Sequence, residues 1–220
     1  MPGLTLVLGT RNYSSWSLRP WLLMRHLGIE FTERVLHFDT DEFRREVPRL
    51  SPTGRVPVLL HGELSVWESI AICEYVSELA GGRGWPEERP ARAHARAAAA
   101  EMHAGFGALR SQCPMNVRAR GRRVPSTPEL EHDLRRIDML WSECRTRFGA
   151  SGPWLYGRYS AADAMYAPVA LRVATYDLQV GTVAAGYVAT VLGDPLLEPW
   201  LDAARGEDVV IPHEEVGVPS

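Results

Sequence analysis

Residues 4–28 read LTLVLGTRNYSSWSLRPWLLMRHLG. Leu4 to Leu8 is a short, nearly unbroken apolar run that ends at Gly9, the pattern of a strand covered on both faces. Arg11 to Ser17 is polar and small, a loop. From Leu18 to Leu27 the apolar residues recur at helical spacing (Leu18, Trp21, Leu22), and Gly28 is a helix-stop signal. Pro20 has no N–H and is tolerated in a first turn. A cap at Ser17 would put it at the third helical position, where no intrahelical bond is lost. Ser14 and Ser15 then remain in the loop.

Working outward, Phe31 to Leu36 reads as a second strand and Asp39 to Val47 as a short helix. Val58–Leu60 and Leu64–Val66 flank His61-Gly62-Glu63, a hairpin signature. An amphipathic helix follows from about Glu68, with Ile72, Tyr75, Val76 and Leu79 on one stripe. The order is βαβαββα, so an α/β thioredoxin-like unit is expected, with one right-handed parallel crossover and an antiparallel edge. Gly81-Gly82-Arg83-Gly84-Trp85-Pro86 breaks the pattern. We therefore expect a first domain at 1–80, a linker at 81–89 and an all-helical domain at 90–220. In the latter, Ala91–Leu109 and Leu130–Phe148 read as helices, and Ser160 with Asp163 forms a capping pair at the start of another. Arg118 to Arg123 reads as a solvated basic turn, and Glu207 to Glu215 as an acidic surface tail.

The chain has 220 residues, 45% hydrophobic and 23% charged, with a formal net charge of −3. Such a balance favours neither a nucleic-acid nor a membrane-surface partner. All 24 basic residues are Arg. Cys73, Cys113 and Cys144 are widely spaced, and the histidines show no ligand spacing, so no metal is expected. Met1-Pro2-Gly3 opens without a basic region or cleavage site, and no apolar run reaches about 18 residues. The expectation is a cytoplasmic protein.

Chemistry concentrates in three clusters. Tyr13-Ser14-Ser15 lies at the first strand-to-helix junction, where a hydroxyl beside a helix N-terminus can stabilise an anion such as a thiolate. Arg55-Val56-Pro57 opens a strand, leaving backbone groups at position 56 free to pair with an extended peptide. Glu68-Ser69 starts the third helix, a hydroxyl and a carboxylate suited to the two charges of an amino-acid end. Read singly, each has a plain structural reading as a cap, a turn or a helix start.

Together, in this order and spacing, these residues resemble the cytosolic glutathione transferases, closest to their serine-type, zeta-like bacterial group. The likeness spans about 170 residues and includes the Ser160/Asp163 pair. The resemblance implies a homodimeric transferase that conjugates the thiolate of glutathione, its co-substrate, to a small electrophile. It implies that Ser14, favoured by its alignment with the activating serine of that group, or else Ser15 activates the thiol, with Tyr13 ranked last, and that Val56, before a cis Pro57, pairs with the cysteinyl backbone. Glu68 and Ser69 would bind the γ-glutamyl end, and Arg55, Arg45 or Arg49 the glycine carboxylate. The second-substrate pocket would draw on Tyr13, Met102, Phe106, Arg110, Met115 and Asn116. One departure stands out: Trp16 occupies the place of the zeta-type cysteine. The alternatives are a zeta-type maleylacetoacetate isomerase and a non-catalytic interaction protein on the same fold, such as the stringent starvation regulators.

Overall fold

A computed structural model describes residues 3–219. The leader reading at residues 1–2 lies outside the described residues. The order is β1 (Leu4–Leu8), α1 (Ser15–Leu27), β2 (Thr32–Val35), α2 (Asp41–Leu50), β3 (Val58–His61), β4 (Leu64–Trp67) and α3 (Ser69–Leu79). The sheet runs β2-β1-β3-β4, with β1 and β2 parallel and the other pairs antiparallel. This is the thioredoxin-like arrangement expected.

Alternation along β1 divides the core. Leu6 and Leu8 pack with Leu18, Leu22, Ile72 and Val76 on the α1/α3 face, while Val7 joins Leu36, Val47 and Val58 beneath α2. Both faces are therefore covered, as the apolar run required. Gly28 closes α1 in the left-handed region (φ 68°), with N–H bonds from residues 28 and 29 back to Arg25 and Met24, a conformation that favours glycine.

The rest is mostly helical: α4 (Arg89–Ala104), α5 (Gly107–Gln112), α6 (Pro128–Phe148), α7 (Ala161–Thr175), α8 (Thr182–Leu192) and α9 (Glu198–Arg205). A two-residue pair, β5 (Arg122–Arg123) and β6 (Val218–Pro219), joins the basic turn to the C-terminal segment. Helix α7 is the central post, buried along almost its whole length. At its start the Asp163 carboxylate accepts from the Ser160 N–H and hydroxyl, the Leu155 N–H and the Tyr187 hydroxyl. No helix among the described residues is long and apolar enough to cross a membrane.

The structure corrects three local readings. Helix α1 starts at Ser15 with Ser14 as its cap, so Ser17 is not the cap and Pro20 sits inside the helix. The expected helix over 91–109 is two helices. Gly105 breaks it, where a Cβ would meet the Glu101 carbonyl at 2.8 Å, and Phe106 follows at φ 57°. The acidic tail is not a free surface segment. Glu207 accepts the N–H groups of Arg11 and Asn12 at 2.9 and 3.0 Å, and Arg122 pairs with Glu215 at 3.0 Å. Arg118 donates to the Glu207 and Val209 carbonyls. The basic turn therefore holds the tail across the loop that precedes α1.

Candidate functional site

Register places the three clusters at one end of the sheet. Val7 faces Val58, and Val58 faces Trp67. The end of β1, the start of β3 and the end of β4 therefore share an edge. Ser14 and Ser15 follow β1, Val56 precedes β3, and Glu68 and Ser69 follow β4. A cavity of about 360 Å³ opens beside the first two clusters, bordered by Tyr13, Ser14, Ser15, Arg55, Val56, Arg110, Met115, Arg172 and Glu214, among others; Glu68 and Ser69 do not border it. Grooves of about 1150 and 760 Å³ lie elsewhere, away from these clusters.

The two serines differ in what they can still donate. Ser14 Oγ receives the Ser17 N–H at 3.4 Å and gives its own proton to Ser17 Oγ at 2.7 Å. Ser17 Oγ in turn accepts the Gly9 N–H at 3.1 Å. Ser15 Oγ accepts from Arg172 Nη2 at 3.4 Å, which leaves its proton unassigned to any protein acceptor among the described residues. Arg172 is buried on α7; burial lowers its pKa to about 10, so it stays charged at neutral pH. Both serines stand at the start of α1, where the free N–H groups and helix dipole favour negative charge.

Tyr13 is engaged. Its hydroxyl donates to Glu215 at 2.6 Å and accepts from Arg118 at 3.1 Å and from the Ile211 N–H at 3.3 Å. Burial, then the bond to Glu215, raises its pKa. Val56 precedes a cis peptide bond to Pro57 and lies two residues before the ladder of β3 begins. Glu68 sits in the left-handed region at φ 67° and approaches His103 Nε2 at 3.5 Å. Positive φ in a non-glycine residue is held only where the surroundings demand it. Ser69 is 1% exposed, and its hydroxyl has no hydrogen-bond partner among the described residues. A buried, unpaired hydroxyl is costly and calls for a partner.

Of the three arginines considered for a terminal carboxylate, Arg55 borders the cavity, while Arg45 and Arg49 both approach Glu46 on α2. On the helical side, Arg110 and Met115 line the cavity; Met102, Phe106 and Asn116 do not. Met102 is core, and Phe106 packs edge-on to Tyr166. Asn116 bridges Asn12 and Glu215. Trp16, Phe38, Phe43, Gly54 and Pro114 complete the wall, and sequence reasoning missed these five, with Arg172 and Glu214, as site residues. A signal existed for Arg172, the one charged residue between Ala164 and Thr175 of an otherwise small and apolar helix. The protein's own thiols are poor nucleophile candidates: all three are buried, and burial lifts Cys73 to about 12 and Cys113 and Cys144 to about 11. Among the described residues no three His, Cys, Asp or Glu cluster as a metal site.

Residues 13–79 match the family model for the glutathione S-transferase N-terminal domain. A glutathione transferase homolog from a Burkholderia species, solved with bound glutathione, superposes with a TM-score of 0.70 over 93% of this chain and 100% of that one, at 20% identity. The fold is that of the glutathione transferases. Yeast Ure2p in complex with S-p-nitrobenzylglutathione shares that glutathione transferase fold with a TM-score of 0.70, 18% identity, and coverage of 93% and 95%. In sequence, the dichloromethane dehalogenase of Methylorubrum extorquens is 43% identical over 63 residues, or 28% of this chain and 22% of that protein. That of Methylophilus leisingeri is 46% identical over 56 residues, 23% and 20%. The chain thus matches about a fifth of the length of these curated relatives.

Proposed function

We propose that this chain is a glutathione transferase that joins the glutathione thiolate to a small electrophile. The observation that carries the reading is that a helix-start hydroxyl pair and the Val56 backbone border one cavity, at the same sheet end where the unpaired Ser69 hydroxyl lies. The glutathione-bound neighbour of the same fold supports it. Glutathione would supply the nucleophilic sulfur, which no protein thiol is placed to supply. Val56 would pair with its cysteinyl backbone, Glu68 and Ser69 would hold the γ-glutamyl end, and Arg55 the glycine carboxylate.

For the activating hydroxyl we favour Ser15. Alignment with the zeta-like group points to Ser14, but its proton is spent on Ser17. Ser15 accepts from a buried guanidinium, which polarises its O–H for donation to a thiolate. The division at residues 81–89 and the cytosolic, homodimeric state are part of the same proposal. Isothermal titration with glutathione tests the core of it. Binding at millimolar ligand or tighter, together with conjugation of a generic aryl halide, is the expected result; no binding at that concentration sinks the reading.

A further inference from the structure

We propose that the electrophile is itself an anion, docked by a carboxylate on Arg110. This inference rests on the transferase reading for what happens next, but the anion site stands on its own geometry. Arg110 borders the cavity from α5, with its guanidinium carbon 5.4 Å from the Trp16 ring. It makes no ion pair and no side-chain hydrogen bond among the described residues. Its cationic neighbours are committed or sealed. Arg172 gives Nε to the Cys113 carbonyl at 2.8 Å, Nη1 to the Pro168 carbonyl at 3.3 Å and Nη2 to Ser15. Arg19 is fully buried over Trp16 at 3.8 Å, and neither of its Nη atoms has a partner. The three guanidiniums lie close enough to repel one another: after burial, the charges of Arg172 and Arg110 push Arg19 down.

Against them the cavity wall sets one carboxylate, Glu214, which burial pushes towards its neutral form. A cleft with an excess of one charge sign concentrates the opposite sign. In the transferase reading, Ser69 and Arg55 on the sheet side would take glutathione's two carboxylates. Arg110 belongs to the helical wall beside Pro114 and Met115, a surface that fits a compact apolar body bearing one carboxylate. In the reaction the glutathione sulfur forms a bond to the electrophilic carbon, and the carbon's leaving group departs with the bonding pair. The carboxylate, held on Arg110, is unchanged.

Calorimetric titration with 4-methylbenzoate and with its neutral analogue 4-methylbenzamide, glutathione absent, tests the site. Wild type should prefer the acid by about tenfold or more. Arg110→Gln should erase that preference, and Arg110→Lys should keep part of it. Equal binding of acid and amide to wild type, binding of neither, or a preference that survives Arg110→Gln would overturn the proposal. Should Arg110→Gln fail to fold, the wild-type ratio and Arg110→Lys still decide. A glutathione titration of the same wild-type protein separates the two ideas. Loss of glutathione binding removes the transferase reading alone; glutathione binding without acid preference removes the anion site alone. Where both hold, Arg110→Gln should raise KM for 4-(chloromethyl)benzoate about tenfold and leave KM for its methyl ester unchanged.

Discussion

Two adjacent hydroxyls, 4% and 6% exposed, carry different duties because their hydrogen bonds differ. Ser14 caps α1 and donates to Ser17, while Ser15 takes a bond from Arg172 and keeps its proton free. A bound thiol has a reference pKa of about 8.5, and each unit of lowering needs about 1.4 kcal/mol of preferential thiolate stabilisation. Ser15→Ala should therefore raise the pKa of bound glutathione by about one unit and slow conjugation roughly tenfold at pH 6.5, with the deficit closing above that pKa. Ser14→Ala should instead cost about 1 kcal/mol of stability through the lost cap. Ultraviolet titration of the bound thiolate and urea melts measure the two effects. The opposite pattern, with the pKa moving in Ser14→Ala alone, returns the role to Ser14.

At the scale of elements, α7 depends on a buried carboxylate at its first turn. Asp163 satisfies two backbone N–H groups and two hydroxyls, yet burial still pushes its pKa up to about 6. In the unfolded chain an aspartate titrates near 3.9. The folded state thus holds the proton more tightly between roughly pH 4 and pH 6, and stability from this group falls as pH rises through that window. Asp163→Asn does not titrate there. Wild type should gain on the order of 2 kcal/mol over Asp163→Asn when pH falls from 7 to about 4. Urea midpoints of both proteins at the two pH values check this; a constant gap would show that the carboxyl pKa is not raised.

Across the whole molecule, β4 is one of the sheet's two edge strands, and it exposes Leu64 at 47% and Trp67 at 42%. An apolar edge left open invites pairing or aggregation. In the proposed homodimer this edge is covered by a second copy. Light scattering at micromolar concentration should give twice the chain mass of 24.5 kDa, and Trp67→Glu should shift the population towards monomer. A monomeric wild type, or a dimer untouched by Trp67→Glu, removes the interface from this edge.

The order of the sheet's elements, the stop of α1 and the cap of α7 were legible in the sequence because each rests on local rules: the apolar run of β1, the glycine after α1, the hairpin around Gly62 and the Ser160/Asp163 pair. The positions of the three candidate clusters followed from the same rules, since strand ends must meet where the register brings them. What remained hidden depends on segments far apart in the chain. The contact of Arg172 with Ser15 joins residues 157 positions apart, and Glu215 reaches Tyr13 across 202. Local pattern showed two charged segments as solvated surface; only the tertiary structure brought the basic turn and acidic tail together over the site. The same holds for the helical wall. Periodicity marks Met102, Phe106 and Arg110 alike as residues on a helical stretch, but the break at Gly105 turns the first two into the core and leaves Arg110 at the cavity. Sequence set which residues were available for chemistry, and long-range packing decided which of their donors stayed free.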